Sequence, residues 1–217
     1  MIKTFTLISF LAIAIASEAQ IPKKAVILGG NISYAEIDRS GLPRDENQKW
    51  FNISAFTGIA IRPNTIIGIN ANVTPLNRVH YYTATDTAIM RGKGFSAGPF
   101  IRQYKSITRD LNLFIDLETS AGVQTSEMEN SPGTGDWKST AWNVGITAAP
   151  GISYRLFKQF HIQAKIPEIL SIQYQRVNTD HDDPLITDQT IKAFDFSTRL
   201  SDLVSLGSVV IGFYFEL

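Results

Sequence analysis

Six charged side chains occupy alternate positions within largely apolar segments, where paired charges could fill a narrow interior. They share the parity of the small and polar residues around them: Arg62, Arg102, Asp116, Glu118, Arg155 and Lys165. Acids and bases removed from water are tolerated when they pair with each other. We therefore predict a structural ion-pair cluster inside the fold. A gated polar path for ions is the alternative role of the same residues.

The three histidines, His80, His161 and His181, are the side chains best suited to acid–base catalysis or metal binding. None stands at a recognisable spacing from a serine and an acid. The run Asp180-His181-Asp182-Asp183 lacks the turn glycine of a calcium loop, so we interpret it as a solvated loop. The sequence predicts no catalytic residue, no metal site and no cofactor.

Three Asn-x-Ser/Thr triplets, at Asn31, Asn52 and Asn72, match the acceptor motif for N-glycosylation. Each triplet also fits the polar–apolar–polar alternation of a strand, and we prefer that interpretation. The triplet Asp86-Thr87-Ala88 lies in a polar connection and resembles a short O-glycosylation acceptor. The segment Arg91-Gly92-Lys93-Gly94 lacks the leading glycine and the Ser/Thr of a phosphate loop.

The start of the chain has the layout of a secretory signal. Lys3 is followed by an apolar run from Phe5 to Ala16 and by the small-residue exit Ser17-Glu18-Ala19. This run is shorter than the roughly 20 residues of a membrane helix, which favours cleavage after Ala19. We therefore assign residues 1–19 to a signal peptide and residues 20–217 to one exported domain.

The overall composition narrows the function further. The chain has no cysteine, which rules out disulfides and thiolate chemistry. Its 20 acidic and 20 basic residues give no net charge, which argues against general affinity for nucleic acid.

Alternation with period two dominates the chain after residue 20 and predicts an all-β fold. The clearest examples are 111–123 and 142–156; further strands are expected at about 25–34, 50–62, 65–75, 94–104, 160–176 and 205–217. We join 191–200 to the last of these as one bulged strand, which gives eight in total. A ten-stranded version that uses part of 36–48 is the fallback. Short turns alternate with longer polar connections at 36–48, 76–92, 125–139 and 177–189.

The composition of the two strand faces indicates which one points inward. The polar faces are rich in Gly, Ser and Asn, which suit a narrow lumen, whereas a soluble surface would carry more Lys and Glu. Aromatic residues mark both ends of the apolar faces, as two girdles: Tyr34, Phe51, Phe95, Trp142 and Tyr174 towards the long connections, and Tyr154, Phe160 and Phe215 towards the short turns. Trp142 and Tyr154 are about 30 Å apart in height at a tilt near 40°, which matches a bilayer core. The sequence therefore predicts an antiparallel up-and-down transmembrane β-barrel.

Several segments resemble the outer-membrane β-barrel domain family common in Bacteroidetes, which includes small eight-stranded barrels. The matching segments are Phe56-Thr57-Gly58, Asn64-Thr65-Ile66-Ile67-Gly68, Gly98-Pro99-Phe100-Ile101-Arg102-Gln103-Tyr104 and Pro150-Gly151-Ile152-Ser153-Tyr154. The last strand, which alternates up to Leu217, resembles the terminal strand read by the outer-membrane assembly machinery. The resemblance implies a barrel in the bacterial outer membrane and no catalytic residue.

The function predicted from these features is that of a non-enzymatic outer-membrane barrel whose long loops bind at the cell surface. Its expected partners are membrane lipid, lipopolysaccharide and the assembly machinery; nucleic acid is not expected. One alternative is a secreted soluble barrel that binds a small apolar ligand, which would require inward apolar faces. A second alternative is an outer-membrane lipid hydrolase.

Overall fold

The computed structural model describes residues 21–39, 45–81, 87–129, 136–166, 169–182, 185–198 and 209–217. These residues form ten antiparallel strands: β1 Val26–Arg39, β2 Asp45–Arg62, β3 Thr65–Tyr81, β4 Thr87–Ser106, β5 Leu111–Glu129, β6 Trp137–Arg155, β7 Phe160–Lys165, β8 Leu170–His181, β9 Gln189–Thr198 and β10 Val210–Glu216. Within the described ranges no apolar helix is long enough to cross a membrane. Residues 1–19, the predicted signal, lie outside the described residues.

The ten strands close into a ring with eight strand positions. Strands β1 to β6 pair in sequence order, and β6 pairs on its other edge with β7 near one end and with β8 near the other. Strands β7 and β8 therefore share one position, and β9 and β10, their respective partners, share the next. Pairing of β10 with β1 closes the ring. The predicted eight-stranded up-and-down barrel is confirmed.

The structure corrects the predicted strand bounds at two positions of the ring. The segment predicted as one strand at 160–176 is divided into β7 and β8. The predicted bulged last strand is likewise divided into β9 and β10. Of the fallback segment 36–48, the described residues belong to other strands, 36–39 to β1 and 45–48 to β2.

The predicted long connections were also wrong in extent. Strand β3 continues to Tyr81 and β4 begins at Thr87, so most of 76–92 is a paired hairpin that includes His80. Strands β5 and β6 likewise pair to Met128 and Trp137, and β8 reaches His181. Cross-strand pairing extends the hairpins although the outward face is no longer apolar there. We call this side the hairpin end.

The opposite side of the barrel, which we call the turn end, is made of tight connections. Asn64 adopts the left-handed conformation, with φ of 60°, which asparagine tolerates better than most residues. The backbone N–H of Asn64 donates to the carbonyl of Ile21, and Ile21 N–H donates to Asn64 Oδ1 at 3.2 Å. The segment that precedes β1 is thereby tied to the β2–β3 turn.

The two faces of the wall differ: aliphatic rows point outward, and Arg102 and Asp116 are buried on the inward face. Ile69 and Val144 are 63 % and 58 % exposed, whereas Asp116 is 0 % exposed. The outward rows belong to every long strand, with Leu28, Ile32, Ile53, Ile101, Ile115 and Ile146 among them. A soluble protein buries such rows, so this wall is apolar on the side away from its core.

Candidate functional site in the barrel interior

The interior contains a buried ion pair at its centre. Arg102 on β4 and Asp116 on β5 are direct cross-strand partners. The guanidinium holds the carboxylate through two bonds, Nε to Oδ1 and Nη2 to Oδ2, the second at 2.7 Å. Bidentate geometry is the strongest form of this pair, and burial of both groups makes each depend on the other.

A second pair adjoins the first on the side towards the hairpin end. Lys165 Nζ donates to Glu118 Oε1 at 2.6 Å and lies 3.6 Å from Asp116 Oδ2. Asn70 Nδ2 donates to the other oxygen of Glu118, also at 2.6 Å. Two cations and two anions are thus linked in one neutral group, which we call the ion cluster: Arg102, Asp116, Glu118 and Lys165.

Neutral side chains extend this network across the lumen. Arg102 Nη1 donates to Gln163 Oε1 at 2.8 Å, and Gln163 Nε2 donates to Asn31 Oδ1 at 2.6 Å. Asn31 Nδ2 in turn donates to Ser54 Oγ at 2.9 Å. The chain of bonds runs from β4 through β7 to β1 and β2, so it ties opposite walls of the barrel together.

Aromatic rings surround the guanidinium of Arg102. Its Cζ lies 4.3 Å from the ring centroid of Phe114 and 5.1 Å from that of Phe56; the rings of Phe100 and Tyr104 are both at 5.7 Å. A cation over ring faces gains electrostatic stabilisation, more so when it is desolvated. The cage therefore offsets part of the cost of burying Arg102.

Glycines on the neighbouring strands make room for these rings. Gly29, Gly68 and Gly151 are the cross-strand partners of Phe56, Phe100 and Phe114, respectively. A Cβ added at Gly68 would lie 2.7 Å from Cε1 of Phe100, and the other two glycines are equally crowded by their partner rings. Each ring thus lies flat over the glycine opposite it, as in other sheets where aromatics cover glycines.

The turn-end half of the lumen is filled by buried side chains, and we call it the dry core. Its apolar and aromatic members are Ile21, Ala25, Ile27, Phe56, Ala60, Ile66, Phe100, Tyr104, Phe114 and Tyr214, and Ser106, Asn112, Ser153 and His161 are buried in the same half. Ile21 comes from the segment that precedes β1 and is completely buried. This layer fills the barrel below the ion cluster, as expected for a ring of eight strands, whose interior is just wide enough for side chains.

His161 lies in this same half of the lumen. Its ring stacks on Tyr214 with centroids 4.4 Å apart, and Tyr214 exchanges a hydrogen bond with Ser153. Neither ring nitrogen of His161 has a hydrogen-bond partner, although Nε2 lies 3.5 Å from a carboxylate oxygen of Glu216. Ser153 therefore bonds to the tyrosine and not to the histidine, so these residues do not form a Ser–His pair.

The remaining sequence-predicted residues lie elsewhere. Arg62 is exposed at the β2–β3 turn, and Arg155 pairs with Asp110 at the turn end, with Nη2 at 3.0 Å from Oδ1. Parity alone placed both with the ion cluster, but they lie beyond the dry core. The side chain of His80 lies outside the described residues, and so do Asp86 and Asp183. No group of three potential metal ligands occurs in the part of the chain that the structure describes.

The aromatic girdle residues point outward at the expected ends. Tyr34, Phe51, Phe95, Trp142 and Tyr174 are exposed towards the hairpin end, and Tyr154 and Phe215 are exposed towards the turn end. Phe160 is partly covered because its ring packs against Phe157, Phe213 and Phe215. Beyond Phe95 and Trp142, the outward positions become charged or polar, with Lys93, Arg91, Glu127 and Lys138 exposed.

Comparison with known proteins finds solved structures of similar fold. No family model matches the chain, and no curated protein matches its sequence. Neisserial surface protein A is similar in structure, with 12 % identity, a TM-score of 0.43, and coverage of 89 % of this chain and 97 % of that one.

Two further solved structures show the same degree of likeness. A major outer membrane protein from Thermus thermophilus has 8 % identity and a TM-score of 0.48 over 89 % of this chain and 98 % of that one. Ail, the attachment invasion locus protein of Yersinia pestis, has 11 % identity and a TM-score of 0.41 over 90 % and 99 %. Identities and scores this low assign neither a family nor an activity.

Sequence analysis missed the aromatic cage and the dry core. The signal was present, because Phe56, Phe100, Tyr104, Phe114 and Tyr214 share the inward parity of Arg102 and Asp116. Aromatic residues on both faces of one strand hid it, since rings were expected only in the outward girdles. The alternation of glycine with these rings on neighbouring strands is the pattern that could have revealed the cage.

Proposed function

We propose that this chain is an integral protein of the bacterial outer membrane, that it has no catalytic activity, and that its hairpin end binds at the cell surface. The observation that carries the proposal is the outer wall. Its outward rows are aliphatic from Leu113 and Ile115 to Val144 and then turn charged or polar beyond Trp142. Membrane barrels have such an apolar band with aromatic margins.

The interior supports a structural role for the wall, not a conducting one. The ion cluster is neutral and hydrogen bonded, and the dry core below it contains rings in close contact. The hairpins provide the surface for binding. Strand β4 has 20 residues, which is about 65 Å of strand and about 50 Å of height at a tilt near 40°. Since the apolar core of a bilayer is about 30 Å thick, about 20 Å of hairpin would project.

The two alternative functions lack this kind of support. A soluble barrel for an apolar ligand requires the aliphatic rows to face inward, and they face outward. A lipid hydrolase requires an activated nucleophile, and the one buried histidine of the described residues stacks on Tyr214. The Bacteroidetes resemblance, the cleaved signal peptide and the role of the assembly machinery stay predictions.

A pair of arginine substitutions tests the membrane location. Ile146→Arg places a charge in the middle of the outward rows, and we expect it to cost about 2–4 kcal/mol of stability in a bilayer. Thr140→Arg, on the same strand and face but beyond Trp142, is the matched control and is expected to cost at most about 1 kcal/mol. Urea unfolding in phosphocholine vesicles, followed by the heat-dependent gel mobility of folded barrels, measures both. Equal costs, or a folded protein that is soluble without detergent, would refute the membrane assignment.

A further inference from the structure

The lumen between the ion cluster and the hairpins has a different lining from the dry core. Next to the ion cluster its inward side chains are uncharged amides and hydroxyls: Asn52, Ser54, Asn70, Asn72, Ser96, Ser120, Asn143 and Gln173. Nearer the hairpins Leu76, Met128 and Ala141 are buried. Apart from Asn70, the amides and hydroxyls are half-buried although they point inward, so solvent-sized space adjoins them. Gly98, Gly122 and Gly145 lie among them and add no side chain. We call this part of the lumen the amide chamber.

An unsatisfied acceptor lies at the floor of the amide chamber. Asn70 is 9 % exposed and donates through Nδ2 to Glu118, but its Oδ1 has no hydrogen-bond partner. A buried acceptor without a donor costs about 1–3 kcal/mol. Asn70 borders a small cavity of about 20 Å³. That space fits one water or one hydroxyl group.

The charges around this cavity select the kind of group that could enter. Glu118 and Lys165, which also line it, are paired with each other, and Arg102 is paired with Asp116. An anion would meet Asn70 Oδ1 and the oxygens of Glu118, which are all acceptors. An added cation would meet Lys165. The cavity therefore suits an uncharged donor, and the amides and hydroxyls above it can each donate and accept, as vicinal hydroxyls of a sugar do.

We propose that the amide chamber binds a neutral polyhydroxylated ligand, the end of a carbohydrate chain, with one hydroxyl donating to Asn70 Oδ1. The inference deepens the proposed function and rests on it, because the chamber lies next to the hairpins that would face the exterior. An interior of eight strands has room for one small ligand or a slender chain, not for a folded partner.

Titration with D-glucose tests the chamber. The full chain, inserted in phosphocholine nanodiscs with its Asn and Gln side-chain amides labelled with ¹⁵N, is monitored by NMR. Glucose should shift the amide signals of Asn70 and Asn72 saturably. Asn70→Leu should weaken the affinity about tenfold, because the acceptor is lost. Asn72→Leu leaves the ion cluster intact and provides a second variant; it should weaken binding in the same direction. Asn178→Leu, whose amide bonds to Thr190 on exposed strands, is the control and should bind as the parent does.

Two charged analogues complete the test. Glucuronate and glucosamine keep the glucose ring and each replace one of its alcohol groups by a charged group, a carboxylate and an ammonium respectively; both should bind more weakly than glucose. Equal or tighter binding of either one would overturn the neutral ligand class. If glucose changes no amide signal, or if the Asn70 signal changes only by exchange with water, the site is refuted. The same nanodisc sample is tested for heat-dependent gel mobility. If the mobility depends on heat and glucose changes no amide signal, this inference alone is refuted. If the mobility does not depend on heat, the membrane proposal is refuted.

Discussion

Arg102 is the residue on which most of the interior depends. It bonds to Asp116, Tyr104 and Gln163 and lies within four aromatic rings. Its N–H groups therefore donate hydrogen bonds to three different side chains. Buried pairs often recover only part of their desolvation cost, and here the rings and the Gln163 amide add stabilisation to the pair.

Removal of either partner of this pair should be costly, and removal of both much less so. Arg102→Leu leaves the Asp116 carboxylate buried with Lys165 as its remaining cation, at 3.6 Å, and we expect a loss of about 3–5 kcal/mol. Asp116→Leu should cost a similar amount. The double variant should cost clearly less than the sum of the two. Urea unfolding in detergent micelles and a double-mutant cycle measure the coupling; strictly additive losses would show that the two side chains act independently.

Gly68 provides a second prediction, about the space beneath a ring. Gly68→Ala would press its methyl on the ring of Phe100 and on the Thr57 carbonyl, so we expect a loss of about 1–3 kcal/mol. Gly94→Ala is the control, because a Cβ there would have its nearest neighbours at 3.7 and 3.8 Å. Thermal unfolding of the two variants in the same detergent makes the comparison. An equal effect at both sites would contradict the ring-over-glycine packing.

Individual strands were predictable from sequence wherever the two faces differ in polarity. Alternation placed β5 and the turn-end half of β6 correctly, because Leu113, Ile115 and Ile152 alternate with small or polar residues. It stopped short at the hairpins, where the outward face becomes polar and the alternation between an apolar and a polar face ends. It also missed the division between β7 and β8, since side-chain parity carries no information about which neighbour a strand pairs with.

The parity of positions along the strands likewise predicted only part of the candidate site. It brought Arg102, Asp116, Glu118 and Lys165 to the inner face, where the structure joins them. Parity does not tell how far along the barrel axis a residue lies. Arg62 and Arg155 were therefore grouped with residues on the far side of the dry core. Height depends on register, and register depends on turn geometry and bulges that the pattern does not contain.

Strand β9 makes the fewest contacts with neighbouring strands of all those that the structure describes. It pairs with β8 and, among the described strands, with no other, and nine of its ten residues are exposed. Unpaired backbone groups exchange quickly with solvent. We expect about half of the β9 amide hydrogens to exchange rapidly in nanodiscs, while those of β4, paired on both sides, stay protected. Hydrogen–deuterium exchange with mass spectrometry measures this; protection of β9 equal to that of β4 would show that another strand covers its free edge.

The whole molecule has a layered interior: the amide chamber, the neutral ion cluster, and the dry core. The layers explain why a small barrel with polar residues inside need not conduct ions. Water and ions that pass the chamber still meet the packed rings of Phe114, Tyr104 and Tyr214, whose successive centroids are 5.6 and 6.4 Å apart.

This layering predicts the effect of opening the ion cluster. Lys165→Ala removes the cation nearest the chamber, yet it leaves the dry core unchanged, so we expect no conductance in planar bilayers from either the parent or the variant. Stability should fall by about 1–3 kcal/mol, because Glu118 loses a charged donor. Channel activity in the variant would mean that the ion cluster, and not the dry core, closes the lumen.

The seam between β1 and β10 sets an order of events during biogenesis. The N–H of Leu217 donates to the carbonyl of Val26 at 2.8 Å, and the reverse bond is 3.2 Å, so the cylinder is fastened by residues from opposite ends of the described chain. None of those bonds can form before the carboxyl-terminal strand has been synthesised and delivered. Until then one edge of β1 has no partner for its backbone groups, and an unpaired edge can pair with another chain. We expect loss of the last residues of β10 to leave the barrel unclosed.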